Sequence, residues 1–148
     1  MTNSKSNDYL KYWRIIRYFI KTKHKLTTGE IEMLLFLYSE DIFSRDRFDQ
    51  FNNLLGWNNN RFFSLRQRGW IDVFREKTKR RKPLYQLSYK AQRVIISLYK
   101  KLNGEEIPTT ANNNPIFARD VNYNHKVYKR MILEMNQSIK QQRHLSLE

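Results

Sequence analysis

The sequence predicts a mainly α-helical protein that carries one small β-hairpin. Apolar residues recur at helical spacing in six segments, and two short runs typical of strands flank a basic stretch at 75–83. The 148 residues suffice for a hydrophobic core, so we expect a single domain over residues 1–148. The chain has no cysteine, which excludes disulfides and zinc sites built from thiolates.

The first two predicted helices differ in how far apolar residues extend around them. In the first, at about 8–21, apolar residues repeat at spacings of four, three and four and form one stripe: Tyr9, Trp13, Ile16 and Ile20. The second begins at Thr27, where Thr27-Thr28-Gly29-Glu30 fits a capping box that satisfies free backbone donors. Residues 31–38 are apolar nearly all round, which is typical of a buried helix.

Two shorter helices follow, with a tight turn between them. The third begins near Ser44, a favourable N-cap, and Gly56 ends it; its inner face is predicted to be Phe48, Phe51, Leu54 and Leu55. The fourth has Asn58 or Asn59 as its cap and ends before Gly69, and it carries Phe62, Phe63 and Leu65. Two short helices joined by a glycine-containing turn indicate a helix-turn-helix.

Beyond the fourth helix the pattern changes to strands. Residues 70–74 and 84–87 are predicted to pair as a hairpin with a basic tip. Ser88 then caps a fifth helix with an apolar stripe of Ala91, Val94, Ile95, Leu98 and Leu102. Residues 103–122 are irregular, and a last helix at about 123–142 carries on one face Tyr128, Met131, Ile132, Met135 and Ile139.

This order of elements predicts a winged helix-turn-helix core at about 27–102, flanked by terminal helices at about 8–21 and 123–142. Three motifs resemble those of the MarR family of winged-helix regulators: Leu26-Thr27-Thr28-Gly29-Glu30, Leu65-Arg66-Gln67-Arg68-Gly69-Trp70-Ile71 and Tyr85-Gln86-Leu87-Ser88-Tyr89-Lys90-Ala91. The hairpin and the Tyr-x-Leu-Ser motif also resemble the PadR relatives. The resemblance implies DNA binding by a dimer whose interface is formed by the terminal helices. The wing lacks the Asp-x-Arg element that is usual in the MarR family. The resemblance therefore implies no role in this chain for the arginine of that element.

The charge of the chain is strongly positive and unevenly placed. Lys and Arg number 28 against 14 Asp and Glu, for a net charge of +14. Residues 61–101 contain 13 basic residues, opposed only by Asp72 and Glu76. A basic stretch of this density suits a polyanion, because each phosphate that it neutralises releases counterions. A solvated basic face that maintains solubility is the alternative.

The fourth helix is the predicted recognition helix. Phe62 and Leu65 are expected to face the core, which leaves on the outside Asn59, Asn60, Arg61, Ser64 and Gln67. Asparagine and glutamine can bond adenine bidentately and arginine can bond guanine, whereas a capped turn is the alternative use of the asparagine run. Near the helix end, Arg66 and Arg68 are weaker candidates for phosphate contacts.

The hairpin tip is the second candidate DNA contact. Five of the six positions from 77 to 82 are cations: Lys77, Lys79, Arg80, Arg81 and Lys82. We expect them to lie along phosphates or to enter a minor groove, and a basic loop that contacts nothing is the alternative.

The apolar stripes of the two terminal helices are the candidate dimer interface. A winged-helix core does not need both stripes to bury its own surface, and exposed apolar patches of that size mark interfaces. Intramolecular packing of the stripes is the alternative.

Other functional classes find little support in the sequence. His24, His125 and His144 are isolated from partners at metal-ligand or catalytic spacing, and no glycine-rich phosphate loop is present. We therefore expect no enzyme activity, no metal and no cofactor. No apolar run approaches the roughly 20 residues of a membrane helix, and the N-terminal residues lack a signal-peptide core, so we expect no membrane partner and a cytoplasmic location.

The function expected from the sequence is that of a sequence-specific regulator of transcription that binds double-stranded DNA as a homodimer. Two alternatives stay open: an architectural or replication-linked DNA-binding protein with little sequence preference, and a winged-helix adaptor that binds proteins or RNA. The sequence identifies no small-molecule effector.

Overall fold

The computed structural model describes residues 8–119 and 121–147. These residues form six α-helices: α1 (Tyr9–His24), α2 (Thr28–Glu40), α3 (Arg45–Leu54), α4 (Arg61–Gln67), α5 (Tyr89–Leu102) and α6 (Tyr123–Leu147). The strands among them are β1 (Ile42–Ser44), β2 (Ile71–Arg75) and β3 (Leu84–Leu87), and a short 3-10 helix spans Pro115–Phe117. The predicted mainly helical class with a small sheet is confirmed.

The chain forms two compact units. The winged-helix unit is Thr27–Ile96, and the terminal unit consists of Met1–Leu26 together with Ser97–Glu148. The expectation of one domain over residues 1–148 stays a prediction. The candidate DNA-contacting residues all belong to the winged-helix unit, whereas the candidate dimer residues all belong to the terminal unit.

Local capping signals determine where helices of the winged-helix unit begin. Thr27 Oγ1 accepts a hydrogen bond from Glu30 N at 3.1 Å, and Glu30 Oε1 accepts one from Thr27 N at 2.9 Å, so the capping box is confirmed. Ser44 and Ser88 cap α3 and α5 as predicted. Gly56 follows α3 with a φ of +84°, a conformation that glycine adopts without strain.

A three-stranded antiparallel sheet extends the two-stranded hairpin that the sequence predicted. β2 and β3 form the hairpin, and β1 pairs with the other edge of β3, so the strand order is β1-β3-β2. Phe43 and Val73 both pair with Tyr85, from opposite sides. The sequence did not predict β1, because three residues are too few for a strand pattern to be recognised.

The helix-turn-helix packs on the sheet through aromatic side chains. The ring of Phe62 meets those of Phe48 and Tyr85 edge to face, with centroids 5.0 and 4.9 Å apart. Phe62 and Leu65 are buried as predicted. Leu54, predicted for the inner face of α3, is instead exposed. It follows Phe48 by six positions, which places it about 120° away around the helix.

The terminal unit buries part of both apolar stripes within one chain. α1 and α6 contact each other, and the rings of Tyr18 and Tyr128 stack with centroids 3.7 Å apart. Five residues assigned to the dimer interface are buried: Ile16, Ile20, Ile132, Met135 and Ile139. The expectation that one chain leaves these five uncovered is therefore wrong. The other four keep exposed surface: Tyr9, Trp13, Tyr128 and Met131.

The irregular segment after α5 contributes to this packing. Ile107 N donates to Asn136 Oδ1 at 2.9 Å, and Asn136 Nδ2 donates back to Ile107 O at 2.8 Å. Ile107 and Ile116 are buried. The segment thus supplies core residues that periodicity did not reveal.

Within the described part of the chain, no helix is both long and apolar enough to cross a membrane.

Candidate nucleic-acid interface

A buried arginine fixes the turn between α3 and α4. Arg61 is only 9% exposed, and its Nη1 donates to Asn52 Oδ1 and, at 3.1 Å, to Gly56 O. Asn52 Nδ2 in turn donates to Asn58 O at 3.1 Å. The prediction that Arg61 lies on the outside of the recognition helix is therefore wrong, because acceptors on α3 and in the turn draw its guanidinium inward.

The same guanidinium also lies against the first turn of α2. A Cβ atom placed on Gly29 would come within 2.8 Å of Arg61 Nη2. A side chain at residue 29 would require the Arg61 guanidinium to move from this position. Gly29 thus has a packing reason to be glycine, although α2 is helical there and its φ requires none.

The C-terminal end of α4 is attached to α2 as well. Arg68 Nη2 donates to Glu30 Oε2, and the side chains of Glu30 and Arg68 are 11% and 35% exposed. Lys90 Nζ donates to Arg68 O at 2.9 Å and lies 4.2 Å from the centroid of the Trp70 ring. Arg68, expected as a weaker phosphate contact, is thus engaged with a buried carboxylate.

The three consecutive asparagines before α4 have different roles. Asn58 Oδ1 accepts from Asn60 N at 2.9 Å, which is the turn-forming use considered as an alternative. Asn59 Oδ1 accepts from Trp57 Nε1. Asn60 is the N-cap of α4 by position, but its side chain makes no capping hydrogen bond. Of the three, Asn60 therefore has its amide least committed to the protein.

The outer face of α4 is a stripe without charge. Positions 60, 63, 64 and 67 follow the spacing of one helical face, and they hold Asn60, Phe63, Ser64 and Gln67. Phe63 is 65% exposed, Asn60 and Gln67 are exposed, and Ser64 is partly so. The sequence predicted no functional role for Phe63, although its place between Asn60 and Gln67 on one stripe is a signal for such a role.

Arginines beside the stripe lie over aromatic rings. Arg66 lies 5.5 Å from the centroid of Tyr85 and 6.0 Å from that of Phe62, while Arg45 of α3 lies 4.2 Å from Phe62. Such cation–π contacts hold the guanidinium groups near the surface of the unit. Arg66 is exposed and keeps the position of a phosphate-contact candidate.

The wing is a hydrogen-bonded turn with a basic surface. Thr78 N donates to Arg81 O at 3.0 Å, and Arg81 N donates to Thr78 Oγ1 at 3.1 Å. Arg75 Nη2 donates to Lys82 O at 3.0 Å and closes the base of the loop. Every residue from 76 to 82 is exposed. Lys82 Nζ lies 3.2 Å from Asp46 Oδ2, an exposed ion pair of little energetic weight.

Arg47 of α3 is committed to another partner. Its Nε donates to Glu40 Oε1 at 2.5 Å, and this hydrogen bond lowers the pKa of Glu40 below its usual range. The candidate interface therefore draws its cations from the wing and from Arg66.

Among the described residues, no group of three or more His, Asp or Glu side chains is placed to hold a metal ion.

Comparisons with known proteins give only distant similarities. No protein-family model matches the sequence, and no curated protein matches it significantly. Among solved structures, the chain is similar to AbfR of Staphylococcus epidermidis, with 15% sequence identity and a TM-score of 0.40, covering 86% of this chain and 83% of that chain. It is also similar to disulfide-formed AbfR, with 18% identity and a TM-score of 0.42, covering 95% and 88%. This chain has no cysteine and cannot form a disulfide.

Eight of the twelve predicted contact residues form two groups within the winged-helix unit. Asn60, Ser64 and Gln67 share the outer face of α4, and the five wing cations lie together on one exposed loop. Arg61 and Arg68 face inward and hold α4 in place. Asn59 is exposed, but its amide oxygen is occupied by Trp57.

Proposed function

We propose that this protein is a sequence-specific regulator of transcription that binds double-stranded DNA. The observation that carries the proposal is the outer face of α4, which carries exposed amide side chains. The opposite side of this helix is held in place by the hydrogen bonds of Arg61 and Arg68. A recognition helix has to present its side chains in a defined orientation, and these two contacts supply that orientation. The MarR-like motifs in the sequence agree with this assignment.

In the proposed complex, α4 enters the major groove and the wing follows the backbone. A helix-turn-helix places the residues of its second helix against base edges. The exposed cations from Lys77 to Lys82 would contact phosphates or insert an arginine into the minor groove. The helix would then determine which sequence is bound, and the wing would supply affinity. The protein would act in the cytoplasm on DNA.

We propose further that the protein binds as a two-fold dimer formed by the terminal unit. Closed two-fold symmetry is the commonest arrangement of soluble oligomers. Such a dimer presents two recognition helices, so its preferred site would be an inverted repeat with half-sites about one helical turn apart.

A second candidate is DNA binding with little sequence preference. The wing favours it, because five exposed cations on one loop bind phosphates irrespective of sequence. The two functions share the surface but differ in how much affinity depends on sequence.

Selection from a random duplex pool separates the candidates. A regulator should enrich a defined sequence and bind it at least about 1,000 times more tightly than random duplex at physiological salt. Enrichment of nothing, with tight and strongly salt-dependent binding of every duplex, would establish the second candidate. Absence of duplex binding even at low salt would exclude both and favour an adaptor for protein or RNA.

A further inference from the structure

The stripe on the outer face of α4, at positions 60, 63, 64 and 67, holds no cation. Three arginines lie in or next to this helix, and none of them belongs to the stripe. Arg61 is buried against Asn52 and Gly56, and Arg68 is paired with Glu30. Arg66 lies over aromatic rings beside the stripe. Bidentate arginine contacts are the commonest way to read guanine in the major groove, and this face does not offer one.

The side chains that remain on the face match an A·T base pair. Asparagine and glutamine each pair an amide oxygen and an amide nitrogen with N6 and N7 of adenine. An apolar side chain such as phenylalanine contacts the C5-methyl group of thymine. Asn60, Phe63 and Gln67 supply both kinds of group on one stripe, with the aromatic ring between the two amides.

The spacing of these three residues suits neighbouring base pairs. At about 1.5 Å of rise per residue, Phe63 lies about 4.5 Å along the helix from Asn60 and about 6 Å from Gln67. Base pairs are stacked about 3.4 Å apart along each strand. The three side chains are therefore spread over a few consecutive base steps rather than over one.

The exposure of Phe63 also points to a ligand. The ring is 65% exposed, although Phe62 and Leu65 on the same helix are buried in the core. Burial of a large apolar side chain is favourable in free energy, but a side chain on this exposed polar face becomes buried only when a partner covers it. A thymine methyl group in the major groove is such a partner.

We propose that α4 reads A·T base pairs, with Phe63 contacting a thymine methyl group and with Asn60 and Gln67 bonding adenine. This inference rests on the proposed function, since it specifies what the recognition helix recognises. It makes Phe63 a specificity-determining residue of the DNA site.

Replacement of thymidine by deoxyuridine tests the contact directly, because it removes the methyl group and leaves base pairing intact. The selected duplex is compared with duplexes that carry deoxyuridine at one half-site position at a time. For the wild-type protein we expect affinity to fall about 4-fold at one position, the effect of one buried carbon group. Phe63→Ala should bind the thymidine duplex about as weakly as the wild-type protein binds the deoxyuridine duplex. Deoxyuridine should cause no further loss of affinity in this variant.

Two further variants serve as controls. Phe63→Leu keeps an apolar group and should retain part of the discrimination between thymidine and deoxyuridine. Phe74→Ala removes another exposed phenylalanine, on β2 of the same unit, and should retain all of it. Because Phe63 and Phe74 are both exposed, the variants should fold, and equal melting temperatures would verify this.

The possible failures are distinguishable. If the protein selects a defined sequence but Phe63→Ala discriminates thymidine from deoxyuridine as the wild type does, the inference is overturned and the proposed function stands. A selected half-site dominated by G·C pairs would overturn it in the same way. If the pool yields no enriched sequence, the proposed regulator function fails, and the assignment of Phe63 fails with it.

Discussion

Glu30 of α2 holds Arg68 at the end of α4 with one carboxylate oxygen and closes its own helix cap with the other. Glu30 Oε2 accepts from Arg68 Nη2, while Oε1 accepts from Thr27 N at 2.9 Å. A single side chain thus joins the start of α2 to the end of α4. The glutamate that the sequence identified as a capping residue has a second role, in positioning α4.

Replacing Glu30 by glutamine should separate these two roles. The amide oxygen of Glu30→Gln can still accept from Thr27 N, but the negative charge opposite Arg68 is removed. We expect unfolding free energy to fall by about 1 to 3 kcal/mol, since Arg68, which is 35% exposed, loses its charged partner. Urea unfolding measures the change.

Two variants of the same helix check this assignment. Glu30→Ala should cost about 1 kcal/mol more than Glu30→Gln, because it also removes the cap. Glu32→Gln removes a charge two positions away and should change stability by less than about 0.5 kcal/mol. Equal effects of Glu30→Gln and Glu32→Gln would contradict a specific role for the ion pair with Arg68.

Gly29 and Arg61 should be energetically coupled. Alanine is favoured over glycine in a helix by about 1 kcal/mol, so Gly29→Ala would ordinarily stabilise α2. Here the added Cβ would come within 2.8 Å of Arg61 Nη2, and we expect Gly29→Ala to be destabilising. Arg61→Ala should itself cost about 1 to 3 kcal/mol, because Asn52 and Gly56 O lose their donor.

The double variant provides the decisive measurement. In the Arg61→Ala background the obstruction is gone, and Gly29→Ala should become neutral or stabilising. A double-mutant cycle by chemical denaturation measures this change of sign. Independent, additive effects of the two substitutions would show that the guanidinium does not lie against Gly29.

The sequence predicted those features that depend on nearby residues. The capping box at Thr27, the caps at Ser44 and Ser88, and the stop at Gly56 each involve groups within a few positions of one another. The hairpin was likewise visible, because its two strands are close in the chain. The starts of α2, α3 and α5 and the wing strands therefore agree with the structure, whereas α4 begins after Asn60 and not after the predicted cap, Asn58 or Asn59.

Features that depend on distant partners were not predicted. The direction of the Arg61 side chain is decided by Asn52 and by the absence of a Cβ on Gly29, neither of which a helical pattern reveals. The stripes of α1 and α6 have the pattern of an interface whether they are covered by another chain or by the same one. Ile107, which bonds Asn136 on α6, lies in a segment without periodicity.

The wing should contribute affinity that does not depend on sequence. Replacing Lys79, Arg80 and Arg81 with alanine should weaken binding to selected and random duplexes alike. The slope of log affinity against log salt should decrease by about 0.9 for each phosphate that the variant no longer neutralises. Fluorescence anisotropy at several salt concentrations measures both effects.

A matched variant controls for net charge. Alanine at Lys11, Arg14 and Lys126 removes the same three charges from exposed positions of the terminal unit. It should leave the salt slope close to that of the wild type. If the two triple variants show equal decreases in affinity and slope, the wing makes no specific contact with DNA. The affinity would then depend only on the total charge of the protein.

Sequence preference should depend on Asn60 far more than on Asn59. The amide of Asn60 makes no capping hydrogen bond, whereas Asn59 Oδ1 is occupied by Trp57 Nε1. Asn60→Ala should cost about 1 to 3 kcal/mol on the preferred site and much less on random duplex. Asn59→Ala should cost less on the preferred site, and competition binding measures both ratios. Equal effects of the two substitutions would indicate that neither residue reads a base.

The proposed dimer should depend on apolar side chains that the chain leaves uncovered. Because Met135 and Ile139 are buried within one chain, charges placed there would unfold the protein rather than separate its subunits. Leu10 of α1 is 85% exposed and Leu145 of α6 is 62% exposed. Both lie on the terminal helices, where a second copy of this chain would cover them.

Leu10→Glu combined with Leu145→Glu should therefore yield a folded monomer. Sedimentation at tens of micromolar should show a dimer for the wild type and a monomer for the variant, because each copy would place two charges in the interface. Binding to an inverted repeat should fall sharply, since two half-sites no longer act together, while binding to an isolated half-site should persist. Tyr89→Glu, an exposed position on α5 in the winged-helix unit, should leave the dimer intact. A wild-type protein that sediments as a monomer under these conditions would exclude the dimer, and each recognition helix would then act alone.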